Sequence, residues 1–190
     1  MAAAAGCQAG GAMRAAVASS APSFTVSDLN LRPARVTRRI EVEPLRVSGT
    51  HYRTIWIAES GTVRAIDQSR LPFELATIDL ETLADAAQAI KTMVVRGAPL
   101  IGATAAYGMA LAARSNPSDA HLAEAARTLQ ATRPTAINLL WALTRMRTVL
   151  AEVQPKERVD VAFREAAAIC DADVERCRLI GVHGLELIRG

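Results

Sequence analysis

At 190 residues, 51% of them apolar, the chain fits one domain or one domain with a tail, and it can bury a core of its own rather than remain disordered. Aromatic residues make up only 4% while alanine abounds, which favours closely packed helices over a β-sandwich. The 22 Lys and Arg exceed the 19 Asp and Glu by a surplus that sits in residues 1–50, so residues 51–190 are neutral; with no basic face and no aromatic stacking partners, no nucleic acid partner is expected.

The first 27 residues are rich in Ala, Gly and Ser, with Arg14 their only charge. One arginine is too few for a transit peptide and no long apolar block marks a secretory signal, so residues 1–50 read as a disordered or poorly ordered extension. Side-chain character alternates over Tyr52–Ile57 and again over Thr62–Asp67, with Glu59-Ser60-Gly61 between them, which predicts a β-hairpin. Pro72 ends the strand character. From Leu80 the apolar positions Leu83, Ala87, Ile90 and Val94 recur at three and four residues, one face of a helix with Asp79 as its N-cap.

After Pro99 the small residues Gly102, Ala106 and Ala110 repeat every four, the mark of a central helix approached closely by its neighbours. Asn116-Pro117-Ser118 ends it and starts another, whose face is Leu122, Ala125, Ala126 and Leu129. A break at Thr132-Arg133-Pro134-Thr135 precedes a long helix with Leu139, Leu140, Leu143, Met146, Val149 and Leu150 on its buried side, up to Pro155. The last helical pattern starts near Arg158, carries Val161, Phe163, Ile169, Val174 and Ile180, and reaches Gly184 or beyond. Residues 51–155 therefore read as a hairpin-plus-helix domain and 156–190 as a linking helix. No membrane segment is expected, because the longest apolar run, Ala98–Ala113, is too short, is rich in small residues and is flanked by Arg96 and Arg114.

Cys170 and Cys177 lie seven residues apart in that last helix, about 10.5 Å along its axis, too far for a disulfide or a shared metal. With Cys7 they read as reduced structural thiols, in agreement with a cytoplasmic protein. His51, His121 and His183 form no ligand pattern and read as solvated surface residues, so neither a metal nor a cofactor is expected.

The run Met93-Val94-Val95-Arg96-Gly97-Ala98-Pro99-Leu100-Ile101-Gly102 has the make-up of an anion-binding corner. Arg96 supplies a cation, Gly97 and Ala98 leave the backbone unobstructed, and Pro99 suits the first helical turn, so the N–H groups of Gly97, Ala98, Leu100 and Ile101 are candidate donors. An ordinary loop-to-helix junction has the same residue types. Arg133 repeats the theme before Pro134: the two arginines can converge on one anion, or Arg133 can cap a neighbouring helix or pair with a surface carboxylate.

Several of these segments together carry a family likeness. Ile66-Asp67-Gln68 with Leu71-Pro72, then Met93 to Pro99 with Ile101-Gly102 and Ala105-Ala106-Tyr107-Gly108, then Arg133-Pro134-Thr135-Ala136-Ile137-Asn138-Leu139 with Trp141-Ala142, closely resemble methylthioribose-1-phosphate isomerase from about residue 52 onward. The resemblance implies an α+β, helix-rich fold: a small β-hairpin and a helical bundle leading into a truncated Rossmann-like α/β domain, with residues 156–190 as the linking helix and the start of that domain. It implies an aldose–ketose isomerase of methionine salvage that converts S-methyl-5-thio-α-D-ribose 1-phosphate to S-methyl-5-thio-D-ribulose 1-phosphate. The positions matching Arg96, Gly97, Ala98 and Arg133 then contact the sugar phosphate. The family's catalytic cysteine and aspartate belong beyond Gly190, Cys170 and Cys177 do not match them, and the chain is expected to be an N-terminal fragment without isomerase activity of its own, its last helix an exposed apolar face. A homodimer is a further expectation. Competing readings are a regulatory subunit of the translation-initiation exchange factor, ribose-1,5-bisphosphate isomerase, and a helical interaction protein that binds no ligand.

Overall fold

A computed structural model describes residues 46–47 and 49–189, so all but the end of the extension expected over residues 1–50 lies outside the described residues. At that end Arg46–Val47 (β1) pairs antiparallel with Thr50–His51 (β2). The hairpin forms where the alternation places it: Ile55–Ile57 (β3) and Val63–Ile66 (β4) are antiparallel, Trp56 lies opposite Arg64, and Ile55, Val63 and Ala65 turn inward and are buried.

A third strand, Thr77–Leu80 (β5), adds to the far side of β4. It corrects the assignment of a helix from Leu80 with Asp79 as its cap. Asp79 faces Arg64 across the sheet, its carboxylate taken by the guanidinium at 2.6 and 3.0 Å, and this hydrogen bonding holds it below the usual carboxylate range. The first helix, Leu83–Lys91 (α1), starts three residues later, where the Thr82 hydroxyl accepts from the Asp85 N–H and the Asp85 carboxylate accepts from the Thr82 N–H. Ala86, Ala89 and Ile90 are its buried residues, and Val94 lies beyond its end.

Four helices follow: Ala98–Ser115 (α2), Asp119–Thr132 (α3), Ile137–Ala151 (α4) and, after a 3₁₀ turn at Pro155–Glu157, Arg158–Arg189 (α5). Every residue of α2 from Leu100 to Ala113 is buried, because α1, α3, α4, α5 and β3 all pack on it. Its small residues set how near they come. A methyl group on Gly102 would lie 2.9 Å from the Asn138 carbonyl oxygen of α4, and one on Gly108 would lie 3.1 Å from both Ala86 and Leu129.

The contacts fix the helix directions. Gly102 lies beside Asn138 and Ala142, while Met109 shares a surface recess with Thr144 and Leu150, so α2 and α4 run the same way with their N-termini at one end. Phe163 of α5 lies under the Arg114 guanidinium, near the end of α2, and Cys170 lies beside Leu100 and Ala103, near its beginning. Helix α5 therefore runs antiparallel to α2. Its start is anchored by buried Arg158, which donates to the Pro117 carbonyl at 2.7 Å and the Val153 carbonyl at 3.0 Å and pairs with Asp119 at 2.7 Å.

The buried faces follow the sequence pattern with two corrections. Leu122, Ala125, Ala126 and Leu129 are buried in α3, and Leu139, Leu143, Met146 and Leu150 in α4. Leu140 is exposed with Ile137 and Trp141, since the residues spaced by three and four already fill the inward stripe of α4. In α5, Ala162, Ala166, Ile169 and Cys170 are buried, but Val174 is 49% and Ile180 is 67% exposed. That helix continues through Gly184 to Arg189, and its last turns leave Leu187 and Ile188 in solvent. Among the described residues no helix is long and apolar enough to cross a membrane.

Gly102→Ala should destabilise the protein by about 1–2 kcal/mol, because overpacking against the α4 backbone outweighs the gain in helix propensity. The urea midpoint should fall with an unchanged slope; an unchanged or raised midpoint would mean that the two helices yield freely at this point.

Candidate functional site

The corner at Arg96 is built by a chain that cannot continue α1. After the Thr92 C-cap, Met93 adopts a left-handed φ of 60°, and the Val95 N–H reaches back to the Ala89 carbonyl at 3.2 Å, burying the Val95 side chain completely. Two bonds from one residue hold the bent segment on either side of Val95. The Gln68 N–H donates to the Val94 carbonyl at 2.9 Å, and the Gln68 Oε1 accepts from the Arg96 N–H at 2.8 Å. The Arg96 side chain folds back so that its Nε donates to the Met93 carbonyl at 3.0 Å, leaving its terminal nitrogens for another group. Gly97 then turns the chain into α2 with φ +89° and ψ 136°, a conformation essentially reserved for glycine.

Helix α2 has no side-chain N-cap, and neither does α4, whereas α1 is capped by Thr82 and α3 by Ser118. At α2 the Ile101 N–H is spent on the Gly97 carbonyl at 3.0 Å, which removes one of the four expected donors. The N–H groups of Gly97, Ala98 and Leu100 donate to no group among the described residues. Three free donors, the positive end of an 18-residue helix dipole and a tethered guanidinium thus meet at one point.

That point opens on a cleft of about 540 Å³. Its floor is the first turns of α2, with Leu100 and Ala103; one wall is Tyr52 to Ile55 leading into β3, and the other is α5 with Cys170, Asp173, Val174 and Cys177. Arg53 and Asp171 join the walls with an ion pair of 2.5 Å. The lining is mixed: Gln68 and Arg96 stand beside Gly97 at the start of α2, Ile55, Leu100, Ala103 and Val174 supply apolar surface, and His51, Arg53 and Asp173 add polar groups on the walls.

The two described cysteines are free thiols, Cys170 buried and Cys177 exposed. Burial pushes the Cys170 thiol up to about 11, against the opposing pull of the Arg53 charge, so it stays protonated at neutral pH and is no ready nucleophile. Burial likewise raises the neighbouring Tyr107 hydroxyl. Among the described residues no cluster of His, Cys, Asp and Glu could hold a metal ion. His51 and His183 are exposed, as read from sequence. His121 is not: it is half-buried between α1 and the end of α2, and its Nε2 is buried without a hydrogen-bond partner.

Of the residues singled out from sequence, Arg96 and Gly97 line the cleft, and Ala98 is exposed at the first position of α2. Arg133 does not line it. It is the half-buried C-cap of α3, its carbonyl accepts from the Ala136 N–H at 3.0 Å, and its side chain has no hydrogen bond or ion pair among the described residues. The shared direction of α2 and α4 nevertheless puts the segment from Arg133 to Ala136 at the same end of the bundle as Gly97. Sequence reasoning did not place Gln68, Arg53 or the α5 wall in the site, because each arrives through a contact far along the chain.

This architecture has known relatives. The profile of the initiation factor 2 subunit family matches residues 94–190, half of the chain, and the chain belongs to that family. It is 56% identical over 147 residues to a methylthioribose-1-phosphate isomerase of Rhodospirillum centenum, covering 77% of this chain and 39% of that one. It is 57% identical over 145 residues to the isomerase of the same name from Cereibacter sphaeroides, covering 76% and 40%. Among solved structures it is similar to subunit delta of the translation initiation factor eIF-2B from A. fulgidus, with a TM-score of 0.65 and 38% identity over 71% of this chain and 41% of that one. It is also similar to 5-methylthioribose 1-phosphate isomerase from Pyrococcus horikoshii, with a TM-score of 0.59 and 36% identity over 65% and 37%. The chain spans about two fifths of the length of the curated relatives it matches.

The buried thiol has a pH consequence. Folded Cys170 keeps its proton up to about 11, whereas the same thiol in the unfolded chain ionises from about 9.0. Stability should therefore be level below that window and fall as pH rises through it. Cys170→Ala should flatten part of the decline, Tyr107 accounting for the rest; identical pH profiles for the two proteins would show that the thiol is not held protonated.

Proposed function

We propose that the cleft is the substrate corner of an aldose–ketose isomerase of methionine salvage, which converts S-methyl-5-thio-α-D-ribose 1-phosphate to the corresponding ribulose 1-phosphate. One observation carries the reading: the uncapped N-terminus of α2, with three unspent N–H groups, stands beside an arginine whose side chain is already tethered. The isomerase name borne by relatives more than half identical to this chain supports it. In this reading the phosphate sits on the N–H groups of Gly97, Ala98 and Leu100 with the Arg96 guanidinium against its oxygens. Arg133, outside the cleft lining but at the same end of the bundle, is the second arginine this reading assigns to the ligand. The sugar lies over Leu100 and Ala103, on the floor of the cleft.

Helix α5 fits the role of a connector in this reading, leading from the bundle toward the nucleotide-binding-like α/β domain of the Rossmann type that the family resemblance implies. These residues account for binding and orientation of the sugar phosphate, in a cytoplasmic enzyme that needs no cofactor here.

A second reading, a regulatory subunit that keeps the fold and not the chemistry, draws on the likeness to subunit delta of eIF-2B. Calorimetric titration with methylthioribose 1-phosphate separates the two. The isomerase reading expects saturable binding that Arg96→Ala weakens by about 1.5–3 kcal/mol, the worth of a charge-assisted hydrogen bond. No heat of binding, or binding indifferent to Arg96→Ala, would favour the regulatory reading.

A further inference from the structure

We propose that Gln68 is the positioning residue of the anion corner: its side-chain carbonyl fixes the Arg96 main chain, and with it the guanidinium and the turn into α2. The proposal rests on the reading of that corner as a phosphate site. Gln68 belongs to the loop after β4, 28 residues before Arg96, yet it makes both of the bonds that clamp the segment from outside. Its N–H donates to the Val94 carbonyl and its Oε1 accepts from the Arg96 N–H.

The segment needs such a clamp. It starts at Met93 with φ 60°, a left-handed conformation that a non-glycine residue keeps only where its surroundings over-determine it, and ends at Gly97, whose φ of +89° lets the chain turn without strain. The Arg96 side chain is tied to the same segment through the Met93 carbonyl, so a shift of the main chain moves the guanidinium with it.

The clamp also orients the amide. With Oε1 directed at the Arg96 N–H, Nε2 lies on the other side of a planar group, and it makes no hydrogen bond with any described residue. Gln68 lines the cleft together with Arg96 and Gly97, so that nitrogen is a neutral donor available to an anionic ligand. A glutamate here would preserve the acceptor and set a negative charge beside the anion.

The test has a ligand-free arm and a ligand arm, both on the 190-residue chain. In the unaltered protein, a coupling across the hydrogen bond between the Arg96 amide nitrogen and the Gln68 Cδ should be detectable by NMR. Amide hydrogen exchange at Arg96 should be roughly tenfold faster in Gln68→Leu and near the unaltered rate in Gln68→Glu, which keeps an acceptor. In titrations with methylthioribose 1-phosphate, both variants should bind roughly tenfold more weakly, Gln68→Leu through the lost clamp and Gln68→Glu through repulsion. An absent coupling, or Arg96 exchange and ligand affinity within about twofold of the unaltered values in Gln68→Leu, overturns the proposal. If the unaltered chain fails to bind the sugar phosphate while Arg96 exchange still responds to Gln68→Leu, the ligand assignment falls and the positioning role stands.

Discussion

The backbone of α2 comes so near to that of α4 that one methyl group on Gly102 would sit 2.9 Å from a main-chain carbonyl oxygen. Contact this close is possible only for a helix with almost no side chain on that face. It has two consequences. The helix is buried along nearly its whole length, so its position is set by four other helices and a strand at once. And because these elements hold it from several sides, its N-terminus has a fixed place at the end of the bundle that α4 shares.

A fixed and uncapped helix N-terminus is a chemical resource, and the loops around it are organised to keep it open. Helices α1 and α3 satisfy their first N–H groups with Thr82 and Ser118, as most helices do. Helix α2 enters through Gly97, which has no side chain to offer, and the residues before it are bonded elsewhere: Val95 to α1, Arg96 to Gln68 and Met93. Of the residues whose donors remain, Gly97 and Leu100 line a cleft with α5 as one wall. The wall residues are ordered by the same core, since Cys170 packs beside the first turns of α2 and Asp171 pairs with Arg53. Core packing and binding geometry are thus one problem in this fold: what fixes α2 also fixes the corner.

How much of this is legible in the sequence depends on the range of the contact involved. The spacing of Gly102, Ala106 and Ala110 identifies a central helix, because close approach leaves a period-four mark in one segment. The residue types of Arg96-Gly97-Ala98-Pro99 identify an anion corner for the same local reason. Strand β5 is less visible: Thr77-Ile78-Asp79-Leu80 is four residues long and runs into the pattern of α1, and only the Arg64–Asp79 pairing across the sheet tells strand from cap. The Thr82…Asp85 spacing was the local signal for the true start of α1. The role of Gln68 is invisible from spacing, since its partner is 28 positions away. So is the placement of Arg133, which depends on α2 and α4 running in the same direction. The exposed end of α5 follows from its length: beyond Cys177 it extends about 18 Å past the last residue that lines the cleft.

The central claim is that the first turn of α2 receives an anionic sugar phosphate on its main-chain N–H groups. The most direct measurement is the amide spectrum of the isotopically labelled chain during addition of methylthioribose 1-phosphate. The account predicts that the largest, saturable shifts fall on Gly97, Ala98 and Leu100, with those of Thr148 and Leu150, at the other end of α4, unmoved. Shifts centred on that far recess, or an amide spectrum indifferent to the ligand, would contradict it.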